Sequence, residues 1–405
     1  MTSDPSTPTS QLDAQHGRRR IAWALALAAL VVHLGIGVGG VWTFQPLNYD
    51  DPQVLALALG KSAAAILTES TWYAYKPVYF LSVKLDTFFG DAAFAGAHVH
   101  NALLHALAAA LLFFVLFGLV RNRWIAGAAA LLFAIHPVHA ESVAWISSRK
   151  DVLSLVFVLA AHLAYRRARD AGSVSIAAPV LLLLGGLTKG TVWIWAGVLL
   201  LDEGVELLRR RTRGEPASAG PAFARLVPCL LIAVLGIAAD WWMGARHGPG
   251  AVEHGVSTAS LAAAMAGVHA RYLVHLFVPT GLSIDYGIDP AGSWSDPLAW
   301  VGLLLLVAAL GLLVVAWRRR WPLGVIAAGL WLLGLLPVNN VLPRTAILMA
   351  DRYLYLPAAG LYLLVLGLLA RKPSVRGAVL TLVALVFGVL GILRTGAFAD
   401  SRTIW

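Results

Sequence analysis

The chain has 405 residues, 59% of them hydrophobic and 13% charged, with a formal net charge of +10. A soluble domain carries about 25% charged residues, so the composition excludes a string of soluble domains. The positive balance sits in short basic clusters between long apolar runs, which argues against nucleic acid as the partner and for a multi-spanning membrane protein.

Residues 1–17 are polar and rich in Ser, Thr, Pro and Asp, and are expected to form a disordered cytoplasmic tail. Arg18–Arg20 open an apolar stretch that continues to Trp42 without a clear small-residue cleavage site, which predicts a retained signal anchor. Transmembrane helices are expected near 21–42, 92–119, 124–136, 146–165, 174–187, 190–202, 223–243, 297–317, 322–341, 350–370 and 375–395. The shorter ones are tolerated inside a helical bundle. Segment 258–280 is apolar but carries His269, Arg271 and His275, so it reads as a helix at the outer interface or re-entering the membrane. Two external segments, 43–91 and 244–296, exceed what a connector needs, and long loops tend to be functional. Within the first, 53–67 reads as an amphipathic helix and 77–90 as a short helix opened by Pro77. Cys229, the single cysteine, excludes an intrachain disulfide and reads as a small core residue.

Placing the N-terminus in the cytoplasm puts 19 of the 31 Lys and Arg residues on that side, with 7 of the 21 acidic ones. This satisfies the positive-inside rule. Eleven spans then put the C-terminus outside, at the periplasmic or extracytoplasmic face of an inner membrane. Domain 18–405 is thus expected to be an all-α polytopic bundle with loop helices on its outer side.

Ionisable residues inside a membrane are costly and mark function by default. Here they gather toward the outer side. Asp50 and Asp51 supply either a general base beside a carboxylate that raises its pKa or a divalent-metal ligand; as an isolated pair they also read as a solvated loop start. His98, Asn101 and His105 share one helix face, where they serve substrate or bond neighbouring helices. Pro137 ends a helix and leaves His136, His139 and Glu141 at its mouth. These three suit polar substrate contacts, structural hydrogen bonds or, less favourably, a metal, because the His-Glu-x-x-His pattern is absent. Arg149, Lys150, Lys189, Arg344 and Arg352 are basic on the side that disfavours them. Internal pairs with Asp151 and Asp351, or recognition of a phosphate, would offset that cost.

At these residues the chain resembles a known family. Phe133 to Ser154 reads FAIHPVHAESVAWISSRKDVLS, and NYDDP at 48–52, YKPVYFLSVKLD at 75–86, HVHNALLH at 98–105, LTKG at 187–190, RYLVHLFVPTGLSIDY at 271–286 and ADRYLYLP at 350–357 follow the same order. Together, over roughly residues 20–400, they resemble the membrane domain of GT-C superfamily glycosyltransferases related to the transmembrane, tetratricopeptide-repeat O-mannosyltransferases. The resemblance implies a GT-C-like bundle of about eleven spans and an inverting transfer of mannose or a similar hexose. The donor would be a polyprenyl-phosphate carrier in the membrane lipid, and the acceptor a protein or envelope-glycan hydroxyl. It implies Asp50 as general base with Asp51 supporting, Tyr49 beside them, and Lys76, Arg149, Lys150, Lys189 and Arg352 around the donor phosphate. No cofactor is implied, and a divalent metal is not favoured. Relatives continue into tetratricopeptide repeats after a segment like Arg402–Trp405; no such repeats are present here, so docking of a protein acceptor through them is not expected. Lys76 stands where many relatives carry His or Arg. The competing readings are a transporter or lipid-handling protein, which would carry charges on paired broken helices, and an inactive scaffold of the same fold.

Overall fold

A computed structural model describes residues 8–44, 50–70, 75–86, 88, 90, 93–247, 255–340, 347–400 and 402–404. Every regular element among them is helical. In chain order these are α1 (Pro8–His33), α2 (Asp51–Gly60), α3 (Ala63–Thr68), α4 (Pro77–Leu85), α5 (Ala93–Val120), α6 (Arg123–Ile135), α7 (Ala140–Ala144), α8 (Arg149–Asp170), α9 (Ala177–Gly186), α10 (Trp195–Thr212), α11 (Ala219–His247), α12 (Thr258–Phe277), α13 (Pro297–Arg318), α14 (Pro322–Leu335), α15 (Pro357–Leu369) and α16 (Pro373–Ala397).

Among the described residues, four helices are long and apolar enough to cross a membrane: Phe94–Val120, Ala219–Met243, Pro297–Arg318 and Arg376–Ala397. A fifth is available if α6 and Pro137–Ala144, bent by 55°, form one broken span. The expected count of eleven is therefore not reached by length and composition. The reason is geometric. A bilayer core needs about 20 helical residues, whereas α9, α14 and α15 have 10, 14 and 13. The candidate spans also differ in place. Half of the α5 window is buried inside the protein, against 6% of the α16 window, so α5 is central and α16 peripheral.

Other boundaries differ for local reasons. Residues 8–17, expected to be disordered, are helical and continue into α1. The expected span 21–42 stops at His33, because Gly35, Gly37, Gly39 and Gly40 take φ of +63°, +103°, +94° and +78°, which a right-handed helix cannot hold. The expected helix 53–67 is split at Ser62, whose hydroxyl caps α3 by accepting the Ala65 N–H at 3.1 Å. Pro77 does open α4 at its first turn. Segment 258–280 is a helix, α12, packed tightly on α13: a Cβ on Gly302 would collide with the Ala266 carbonyl. Close backbone approach through small residues is how helices associate where water cannot drive them together.

At the end of the bundle opposite α2–α4, charges are buried in a closed network. Asp202 of α10 is fully buried. It accepts from Arg166 at 2.8 and 3.0 Å, from Arg169 at 3.0 Å and from His162 at 3.2 Å, all on α8. Tyr165 donates to Glu203 at 2.6 Å, and Arg225 of α11 pairs with Glu203 at 3.7 Å. Removing one partner of a buried pair costs about 3–5 kcal/mol, because the others keep their charge without compensation. Asp202→Ala is expected to lower the thermal stability of the purified protein by that amount. Asp170→Ala, which removes an exposed partner of Arg169, is expected to change it by less than about 1 kcal/mol.

Candidate functional site

The site forms where α2 and α4 pack against the start of α8. Asp50 is the N-cap residue of α2 and Asp51 its first residue. Both carboxylates are held by Ser147, from the 3-10 turn Ile146–Ser148. The Ser147 N–H donates to Asp51 Oδ1 at 2.9 Å, and its hydroxyl donates to Asp50 Oδ2 at 3.2 Å. Asp51 is fully buried, whereas Asp50 is half-buried. The accessible carboxylate is thus Asp50. Tyr49 lies outside the described residues, as does Arg344.

Two residues further along, Arg149 is fully buried. Its guanidinium pairs with Asp86 at 2.6 Å and donates to Asn101 Oδ1 at 2.6 Å and to the Ser82 and Ala97 carbonyls at 2.9 Å. Every nitrogen of the fork is engaged by protein. Expected at the donor phosphate, Arg149 instead clamps α4 and α5 to the root of α8. Asn101 completes the clamp by donating to the Val143 and Trp145 carbonyls at 3.1 and 3.2 Å.

The remaining cations converge. Lys76 stands directly before α4 and lies within electrostatic reach of Lys189, Asp240, Asp151 and Asp50. Lys150 lies within reach of Lys76, Asp151, Lys189 and Arg352. Lys189 pairs with Asp151, and Arg352 with Glu141, which also accepts the Arg352 N–H at 2.9 Å. The Arg352 guanidinium stacks 5.3 Å from the Trp145 ring. The side chains of Lys76 and Lys150, in contrast, have no ion-pair or hydrogen-bond partner among the described residues. Burial, with Lys189 adding to it, pulls the Lys76 amine below the ordinary lysine pKa; the nearby aspartates oppose this.

A cleft of about 500 Å3, open solvent included, runs from this cluster. Asp151, Lys189, Arg352 and Tyr353 form its polar end. Leu155, Val158, Val192, Ile194, Val338 and Leu356 are among its apolar walls. It is the shape expected of a site that holds a charged head and a hydrocarbon tail.

The histidines expected to touch substrate do not line this cleft. All are buried in the bundle. His98 packs edge-on to Phe44 at 5.4 Å. His105 accepts from the Tyr355 hydroxyl at 2.7 Å and donates to the Ala134 carbonyl at 3.2 Å. His136 donates to the Leu276 carbonyl at 3.2 Å and accepts the Val138 N–H. His139 sits between Phe133 and Tyr355, with ring centroids 4.8 and 5.2 Å away. The polar atoms of His105 and His136 knit helices together, the rings of His98 and His139 pack against aromatic neighbours, and Glu141 acts on Arg352. Among the described residues no group of three or more His, Cys, Asp or Glu side chains could hold a metal ion.

Three contributors were not singled out from the sequence. Ser147 lies inside the long 133–154 motif and Asp86 ends the 75–86 motif, so motif membership was the available signal. Tyr286 ends the 271–286 motif. Its hydroxyl donates to Asp351 Oδ1 at 2.7 Å, and His275 lies 3.2 Å from the same oxygen.

The fold defines a class. It superposes on the oligosaccharyltransferase of Archaeoglobus fulgidus with a TM-score of 0.51 over 96% of this chain and 56% of that one, at 14% identity, which is a likeness of fold. No family model matches. In sequence the chain is similar to protein O-mannosyl-transferases. It is 38% identical over 125 residues to the mouse protein O-mannosyl-transferase TMTC1, an alignment covering 29% of this chain and 13% of the mouse protein. It is 24% identical over 343 residues to protein O-mannosyl-transferase F38B6.6 of Caenorhabditis elegans, covering 81% of this chain and 47% of the worm protein. The chain thus spans less than half the length of these two relatives.

Arg149→Lys keeps the charge but loses the fork, and is expected to destabilise the protein by on the order of 3 kcal/mol. Lys150→Ala removes a cation crowded by other cations. It is expected to leave the ligand-free protein as stable as before or up to about 1 kcal/mol more stable. Thermal unfolding of both variants in lipid nanodiscs checks the contrast.

Proposed function

We propose that the protein is an inverting glycosyltransferase that moves a mannose-like hexose from a polyprenyl-phosphate carrier to an acceptor hydroxyl at the outer face of the membrane. The observation that carries this reading is a group of cations at the polar end of an apolar-walled cleft: Lys189 and Arg352 line it, Lys150 lies within electrostatic reach of both, and Lys76 lies within reach of Lys189 and of the accessible Asp50. Uncompensated cations in a half-buried site are stabilised by an anion. A lipid phosphate supplies the anion, and its tail suits the walls.

In this reading Asp50 takes the proton of the acceptor hydroxyl. The freed oxygen attacks the anomeric carbon from the face opposite the phosphate. The bond between that carbon and the phosphate oxygen breaks, and polyprenyl phosphate leaves with the electron pair. Lys76, Lys150, Lys189 and Arg352 receive the negative charge that develops on it, which is electrostatic stabilisation by groups already in place. The reading calls on no metal, because Lys189 and Arg352 line the cleft and Lys76 and Lys150 add their charge from within electrostatic reach. Asp51 and Ser147 position Asp50 without touching substrate. Arg149 is moved from the phosphate to the frame, and His98, Asn101, His136, His139 and Glu141 from substrate contact to support.

The same reading puts Arg18–Arg20 in the cytoplasm and the cleft outside, with the shorter helices completing a bundle of about eleven spans. A carrier lipid then reaches the cleft from within the bilayer.

Transfer from synthetic polyprenyl-phosphate mannose tests the proposal. Asp50→Asn is expected to lower kcat by 10²-fold or more, the range general-base removal covers. Asp51→Asn is expected to lower it less, since a buried amide still accepts the Ser147 N–H. Full activity in Asp50→Asn would remove the base assignment, and absence of any transfer by the wild type would remove the donor.

A further inference from the structure

A second hollow opens between α12 and the segment 286–296. It encloses about 790 Å3, open solvent included. Arg271 of α12, Tyr286, Asp289, Ser293 and Asp296 line it. The Arg271 side chain is half-buried and has no ion-pair or hydrogen-bond partner among the described residues, although two carboxylates share the hollow. Those carboxylates are committed locally. Asp289 accepts the Ala291 N–H at 2.8 Å, and Asp296 caps α13 by accepting the Leu298 N–H at 2.9 Å. Each leaves acceptor capacity unused, since an ionised carboxylate offers about four acceptor positions. One wall is tightly built: Gly292 lies so close to the backbone of Ala264 that a Cβ would collide with it.

The charges decide what fits. An anion would meet Arg271 but face two carboxylates across a single hollow. A cation would meet the carboxylates but face Arg271. A neutral ligand bearing several hydroxyls satisfies both signs, because each hydroxyl donates to a carboxylate and accepts from a guanidinium. The Tyr286 ring adds an amphipathic surface of the kind that packs against a sugar's C–H face. The hollow also adjoins the transfer site. The Tyr286 hydroxyl donates to Asp351, and the next residue is Arg352 of the donor cleft.

We infer that this hollow is a binding site for an uncharged saccharide and that it holds the acceptor side of the reaction. Its link to the acceptor rests on the glycosyl-transfer reading above; its ligand chemistry does not. Arg271 supplies the donor fork, while Asp289 and Asp296 supply the acceptors.

Saturation-transfer NMR on the full chain in phosphatidylcholine nanodiscs tests this, with a neutral mannotriose as probe and glucuronate and spermidine as charged comparators. The wild type is expected to bind mannotriose in preference to both. Arg271→Gln is expected to weaken that binding at least tenfold, and Asp170→Ala, at the exposed end of α8, to leave it unchanged. Unaltered thermal unfolding shows that Arg271→Gln is folded. If it is not, Arg271→Lys removes the fork with a smaller change and is expected to weaken binding in the same direction. No mannotriose binding by the wild type, equal binding by a folded Arg271 variant, or a preference for either charged comparator would overturn the inference. Mannotriose binding without sugar transfer by the wild type would instead sink the donor reading and leave this one standing. Sugar transfer without mannotriose binding would do the reverse.

Discussion

Arg149 is withdrawn from water at the root of α8, where its guanidinium bonds Asp86, Asn101 and the carbonyls of Ser82 and Ala97. Burying such a charge costs several kcal/mol, and only a close, fully bonded partner set repays it. The partners come from two separate segments, α4 with its C-cap Asp86 and α5, so the repayment is available in one arrangement only: α4 and α5 seated on the start of α8. The carboxylates inherit that arrangement. Ser147 lies two residues before Arg149 and holds Asp50 and Asp51 through its hydroxyl and its N–H. The buried cation therefore fixes the position of the acidic pair without touching it.

Once Arg149 is spent on the frame, the other cations sort by partner. Lys189 and Arg352 are each matched by a carboxylate, Asp151 and Glu141. Among the described residues, the side chains of Lys76 and Lys150 are matched by none. Matched cations are held in place by their carboxylates, and the cluster thus combines a fixed rim with two positive ends of its own. In the proposed reading those two ends take up the charge of the donor phosphate.

Much of this was legible in the sequence, and the unread part has definite causes. Apolar runs located most helices, and Pro77 located the start of α4. The spacing of His98, Asn101 and His105 correctly put them on one face, but not which way the face points. In an apolar helix buried on several sides the periodicity that marks an outward face is missing. Arg149 and Lys150 are neighbours in one motif. Successive helical residues point about 100° apart, so one is bonded into the frame and the other lies within electrostatic reach of Lys189 and Arg352, and composition cannot separate them. Asp86 and Arg149 are joined across 63 positions, a distance no local pattern encodes. The Asp202 network was hidden for another reason: its charges read as a solvated cytoplasmic cluster, since the same residues satisfy the positive-inside rule whether or not they are buried.

Arg352 is where the separate parts meet. Glu141, inside the 133–154 motif, holds both its side chain and its backbone N–H. Asp351, its neighbour, is held by Tyr286 and His275 from the motif that builds α12 and the segment after it. The guanidinium at the donor cleft is therefore set from two directions, one through the bundle and one through the outer hollow. A group fixed this way loses little entropy when charge develops beside it, which is the condition for stabilising a transition state rather than merely binding a ground state.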